Sequence, residues 1–289
     1  MRIRSSIKKM EAFRVDDFAI TVFVLCDDIL TALDFEDDHQ AKMSSSEIIA
    51  FSILAAKDFA GNHKTARSYF QRLGYFPNML SNSRLNRRIR NIPWKIWDMI
   101  FRFLAYIFRK ENTSRIFAVD SFPVASCQKS RIDRRKLFPS PSYLGFSASK
   151  KKYFCGIKVH MIVSESGAPV EYQLRPASEN DISVLWQMEI ELPHFSTLYA
   201  DGAYTSFELE ELLLEDSHIK LLPKRGSHIK NRAHSKVLNR EISSRRQVVE
   251  TAFSSITRLL PRALQVRTES GFLLRVFSAI LAYGIAFLA

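Results

Sequence analysis

Apolar side chains recur at helical intervals through residues 14–33 (RVDDFAITVFVLCDDILTAL) and again in IIAFSILAAK. The second run follows Ser44–Ser46 and Glu47, the hydroxyl-then-glutamate spacing of a capped helix start. HKTARSYFQRLGYFP and the run containing SNSRLNRRIR continue the helical texture, now with Arg84, Arg87, Arg88 and Arg90 between the apolar positions. WKIWDMIFRFLAYIFRK predicts a long helix ending near Asn112, where ENTS breaks the pattern. Residues 1–112 are therefore expected to form a small all-helical domain. Its arginine-bearing helix, with Arg84, Arg87 and Arg88, is a candidate helix-turn-helix reader of DNA; the competing account is an exposed charged face.

From residue 115 the texture changes to strand runs: RIFAVDSFPV, KYFCGIKVHMIVS and PVEYQLRPA, then a helix near DISVLWQMEIEL, then the strand in FSTLYADGAY. SFELEELLLEDS reads as a helix, IKLLPKR as a strand and ISSRRQVVETAFSSITRLL as a long helix. Three strands followed by alternating helices and strands predict an α/β domain over residues 113–289, a mixed sheet flanked by helices in the order of the ribonuclease H-like fold. The last stretch, Phe272–Ala289, is strongly apolar, but it is short and carries Arg275, so a buried core helix is expected rather than a membrane span.

With 46% hydrophobic residues in 289, the chain has ample material for a core. Its net charge of +12 exceeds what solubility requires and points to a polyanionic partner. The charge is concentrated: Lys129–Lys152 holds eight basic residues against the single acid Asp133, and Asp216–Arg267 holds twelve against three. The first of these stretches also contains LFPSPSYLGFSAS and reads as a mobile basic loop that orders on DNA, with a solvated linker as the alternative. Cys26, Cys127 and Cys155 are odd in number and lack paired spacing, which fits a reducing cytoplasm and argues against a disulfide framework or a cysteine zinc site. No signal peptide is read at the amino terminus.

Carboxylates carry the candidate chemistry. Asp120 ends the apolar run Ile116–Val119, where an ionised group needs a salt bridge or a bound cation to offset its desolvation. Asp201 likewise leaves the run Thr197–Ala200, and in a right-handed arrangement the first and fourth strands lie side by side, so both aspartates face one point. Glu250 lies within RRQVVETAF on the last long helix, with Arg246 one turn earlier, a spacing that by itself describes a local ion pair. Taken together, the three acids form an all-oxygen set suited to two ions of Mg²⁺ or Mn²⁺ and to phosphodiester chemistry. No phosphate-binding P-loop, hydrolase nucleophile elbow or dinucleotide turn competes.

The segments AVDSFPV, YFCGIKVHMIVSESGAPVEYQLRPASENDISVL, LYADGAY and RRQVVETAFSSI resemble, in order, the core of DDE transposases of bacterial insertion sequences. The resemblance runs from about residue 115 to the end and extends to the helical amino-terminal third. It implies a ribonuclease H-like catalytic core in which Asp120, Asp201 and Glu250 are the catalytic ligands of two divalent metals, with cleavage at the element's ends followed by strand transfer into target DNA. Many relatives carry a Tyr, Arg, Glu, Lys pattern on the glutamate helix; Arg246 and Glu250 fit it, while Ser243 and Thr257 stand in the other places.

The implied partner is double-stranded DNA, both ends and target, bound by a homodimer in the bacterial cytoplasm at the nucleoid, with no membrane. Arg245 and Arg246 are candidate phosphate ligands. Lys158 and His160, two apart on the second strand and so on one face, are expected beside Asp120. Asp181, Trp186 and Tyr204 are weaker candidates for DNA contact, read more simply as an N-cap, a core aromatic and a loop tyrosine. Two other functions remain open: a nuclease of the same fold without strand transfer, and a non-enzymatic DNA-binding protein that keeps fold and charge.

Overall fold

The computed structural model describes residues 17–127, 132–133, 136–147, 151–226, 229, 232–261 and 266–288. Two compact units divide the chain: one takes the residues up to Phe101 and those from Leu274 onward, the other Arg102–Leu273. The sequence texture changes near residue 112, but the units part inside the preceding helix and again inside the last one.

In the first unit lie α1 (Asp17–Ala32), α2 (Ser45–Phe59), α3 (His63–Leu73), α4 (Asn82–Asn91) and the start of α5 (Trp94–Glu111). The expected cap is present: the Glu47 N–H donates to Ser44 Oγ at 3.1 Å and the Ser44 N–H donates to Glu47 Oε2 at 2.8 Å. α2 is central, with Ile48, Ile49, Phe51 and Ile53 fully buried, and the Phe51 ring meets Phe70 and Phe76 edge-on.

The last helix, α9 (Glu269–Ile285), is the predicted core helix. Within the first unit its Phe277 lies 4.9 Å from Trp94. Among the described residues no helix is long and apolar enough to cross a membrane.

The second unit holds a mixed six-stranded sheet: β1 (Ile116–Cys127), β2 (Leu144–Ser147), β3 (Lys152–Ser164), β4 (Pro169–Pro176), β5 (Thr197–Ala200) and β6 (Lys220–Pro223). β3 runs antiparallel to both β1 and β4, β5 pairs parallel with β1, and β6 pairs parallel with β5. The helices of this unit are α6 (Asp181–Leu185), α7 (Phe207–Ser217) and α8 (Lys236–Arg258), and α8 lies against β1, β3 and β5. A three-strand meander followed by alternating helices and strands is the order the sequence predicts.

Two local expectations are corrected. The helix near DISVLWQMEIEL is a single short turn, Asp181–Leu185. Within Lys129–Lys152, the described part includes a strand, so a mobile loop does not describe it: Leu144 and Cys127 both pair with Cys155, which places β2 on the β3 edge shared with β4. Phe138 is buried and stacks on Tyr143 at 4.3 Å, which anchors the segment. Gly145 is required here because a Cβ would stand 2.7 Å from the Cβ of Ala177. The rest of that basic stretch lies outside the described residues.

Candidate functional site

Parallel pairing sets the first two acids. Val119 is in register with Ala200, so Asp120, inside β1, and Asp201, the first residue after β5, stand at the same level. β5 stops there, and from Asp120 onward β1 is paired along β3 alone. Pro123, which has no N–H to offer, falls in this half-paired stretch.

Opposite them stands Arg246 of α8. Its Nη2 donates to Asp120 Oδ2 at 2.5 Å, and its Nη1 lies 3.3 Å from Asp201 Oδ1. The helix is held at this place by its buried face, Ile242, Val249, Ala252, Phe253 and Ile256, with the Phe253 ring 4.6 Å from that of Phe122 on β1. Side-chain exposure rises from 11% for Arg246 to 20% for Asp120 and 48% for Asp201, so the pair opens to solvent on the Asp201 side. Along-helix pairing of Arg246 with Glu250, the local reading of the sequence, is replaced by pairing across the sheet. Two converging carboxylates, one of them largely desolvated, attract a guanidinium more strongly than one exposed glutamate in water.

Burial pushes the Asp120 carboxyl above the usual carboxylate range, against the opposing pull of the Arg246 guanidinium and of the Ser121 N–H, which donates to Asp120 Oδ1 at 2.8 Å. The Arg246 guanidinium thus offsets part of the cost of burying a charge here.

Glu250 is exposed. Among the described residues no group of three or more acidic, histidine or cysteine side chains is close enough to hold a metal ion. The fold therefore brings together Asp120, Asp201 and Arg246, with Glu250 one helical turn beyond Arg246. Asp120 and Asp201 fit a divalent cation: they offer only oxygen, they converge, and the space between them already attracts a positive group. The third expected ligand does not stand with them.

The remaining predicted residues fall in separate places. Lys158 Nζ is held by Asp181 Oδ1 at 2.9 Å, and His160 has no exposed surface, so neither presents a free group to a phosphate. Burial brings the His160 imidazole down to about 4, leaving it neutral. Arg245 is half-exposed and pairs with Glu165. In the helical unit Arg84 and Arg87 are exposed on α4, whereas Arg88 turns inward to Asp37 Oδ1 at 2.9 Å and to the Met43 carbonyl. Trp186 is 40% exposed and Tyr204 is fully buried.

Sequence reasoning missed Ser121, whose backbone N–H holds Asp120 and whose hydroxyl donates to Asp181 Oδ1 at 3.1 Å. The signal was its position, directly after the strand aspartate.

A family model described as a transposase DDE domain matches residues 111–285. No curated protein matches at a significant level. Among solved structures, a piggyBac transposase synaptic complex with hairpin DNA is similar, with a TM-score of 0.47 and 10% sequence identity over 96% of this chain and 73% of that one. That likeness is too distant to assign residues.

Proposed function

The chain belongs to the transposase DDE domain family, and from that we propose that it cuts DNA at the ends of an insertion sequence and joins those ends to target DNA. In this reading Asp120, Asp201 and Glu250 hold two divalent cations, Mg²⁺ or Mn²⁺, on a ribonuclease H-like sheet. The observation that carries it is the convergence of Asp120 and Asp201 on one guanidinium, Arg246 Nη2 at 2.5 Å and Nη1 at 3.3 Å. Paired cations supply activation of the attacking oxygen and stabilisation of the leaving oxygen in an in-line phosphodiester displacement.

This chain's residues do the rest. Asp120 and Asp201 bind as carboxylates, and the Ser121 N–H fixes the orientation of Asp120. Arg246, released from the aspartates when another cation takes them, is placed to hold a DNA phosphate nearby. Glu250 completes the set by swinging in from the next turn of α8. On the helical unit, exposed Arg84 and Arg87 meet the DNA backbone, and Arg245 exchanges Glu165 for a phosphate. Pairing two element ends calls for a homodimer acting on double-stranded DNA at the nucleoid.

Purified protein incubated with labelled DNA carrying its element's ends tests the reading. Cleavage that needs Mg²⁺ or Mn²⁺ and disappears in Asp120→Ala supports it; binding without cleavage under any divalent metal contradicts it.

A further inference from the structure

Successive residues of a strand face opposite sides, so Ser121 turns away from the side on which Asp120 meets Arg246. It enters a second polar cluster. Asp181 Oδ1, from the first turn of α6, accepts from Lys158 Nζ at 2.9 Å and from Ser121 Oγ at 3.1 Å, and His160 Nδ1 lies 3.9 Å away. His160 Nδ1 is also 3.3 Å from the hydroxyl of Tyr204, and both of these side chains are fully buried. Burial, together with the charges of Asp181 and Asp120, drives the Tyr204 phenol well above its ordinary value, so it stays protonated.

Each end of this cluster touches a segment that carries a metal-binding aspartate. Ser121 follows Asp120 and holds its carboxylate through the backbone N–H at 2.8 Å. Tyr204 closes the tight turn Gly202–Tyr204 after Asp201, donating its N–H to the Asp201 carbonyl at 3.0 Å. One carboxylate from α6, together with the β3 pair Lys158 and His160, thus joins the two segments from behind.

The Lys158–Asp181 pair is partly exposed, and a pair open to solvent adds little stability by itself. The arrangement also leaves His160 Nε2 buried with no hydrogen-bond partner among the described residues, a cost that a purely structural core would avoid. Its location gives it a use: groups that hold metal ligands in place set the affinity for the metal.

We propose that Asp181 is a positioning residue: through Ser121, and through His160 and Tyr204, it holds the Asp120 and Asp201 segments at the spacing that binds a shared divalent cation. This inference rests on the metal reading proposed above. It also assigns Lys158 to Asp181 rather than to DNA.

The test is Mn²⁺ binding to the full chain without DNA, followed by electron paramagnetic resonance or calorimetry, in wild type, Asp181→Asn, Ser121→Ala and Ser121→Thr, with Asp120→Ala as the control. Asp181→Asn and Ser121→Ala should each weaken Mn²⁺ binding by about tenfold, and Ser121→Thr, which keeps the hydroxyl, should retain wild-type affinity. DNA affinity measured in EDTA should be unchanged in the Asp181 and Ser121 variants. If Asp181→Asn does not fold, Ser121→Ala decides the matter. Wild-type Mn²⁺ affinity in Asp181→Asn and Ser121→Ala, with Asp120→Ala defective, overturns this inference alone. So does a loss of DNA affinity in Asp181→Asn with Mn²⁺ binding intact, which makes the Lys158 pair a DNA clamp. A wild-type protein whose Mn²⁺ binding does not depend on Asp120 removes the metal reading and this inference with it.

Discussion

Asp120, inside β1, and Asp201, just past the end of the parallel neighbour β5, stand at one level, whereas Glu250 stands on a helix whose orientation is set by the buried residues Val249, Ala252, Phe253 and Ile256. Strand pairing locates a side chain through a ladder of backbone hydrogen bonds. Helix packing fixes a face, and a long side chain at the edge of that face keeps its rotamer freedom. The aspartates are therefore placed by the backbone, and in this structure Glu250 stays in solvent while its neighbour Arg246 occupies their carboxylates.

Substitution of the acids should break or support this contrast with the largest effect. Asp120→Ala and Asp201→Ala are each expected to lower metal-dependent end cleavage on the order of 10³-fold or more. Glu250→Ala should match them if the helix glutamate joins the pair on DNA. A Glu250→Ala loss below about tenfold, too small for removal of a metal-binding group, would show that the strand aspartates act without it.

Next in size is the helix anchor. Phe253→Ala, which removes the ring packed on Phe122, should cost about 3 kcal/mol in urea unfolding, because a nearly buried aromatic leaves a cavity between α8 and β1. An effect well under this would mean that α8 is fixed by other contacts.

Arg246→Ala leaves Asp120 desolvated without its cation. Full burial of such a pair puts the cost of breaking it in the 3–5 kcal/mol range, and the solvent exposure on the Asp201 side reduces the expectation to about 2 kcal/mol. Added Mg²⁺ should raise the melting temperature of this variant more than that of wild type. Equal shifts would argue that the guanidinium and the metal do not compete for one place.

Smallest within any one pH unit is the effect of a strand carboxylate outside the site. Glu171 on β4 is buried, and burial pushes its carboxyl from an ordinary 4.5 up to about 7 despite the Tyr172 N–H, Arg102 and Arg109 nearby. The folded protein then keeps a proton that the unfolded chain releases. Its contribution to stability is full below about pH 4.5 and is lost as pH rises to about 7, on the order of 1 kcal/mol per pH unit. Glu171→Gln should flatten that slope in urea titrations between these limits, and an unchanged slope would assign the pH dependence elsewhere.

Features dictated by short-range patterns were legible in the sequence. The Ser44–Glu47 capping box, the strand meander and the two aspartates at the ends of apolar runs all follow from local spacing, and the side-by-side placement of β1 and β5 follows from connection handedness. What escaped depends on contacts distant in the chain. β2 lies hidden among prolines, serines and lysines because its stability comes from Gly145 closing on Ala177 and from the Phe138–Tyr143 stack. Arg246 has Glu250 as a sequence neighbour and yet pairs with Asp120 across 126 positions. Lys158 and His160 share a face as read, but their partner Asp181 comes from a helix too short to predict its direction.

Strand transfer probes the central claim most directly. A labelled element end with a free 3′-hydroxyl is incubated with plasmid target, Mn²⁺ and either wild-type protein or Asp201→Ala, and the products are resolved on a denaturing gel. Labelled end joined to plasmid in wild type and absent in Asp201→Ala is the predicted result. Nicked plasmid without joined product, or joining that survives in Asp201→Ala, would contradict the account.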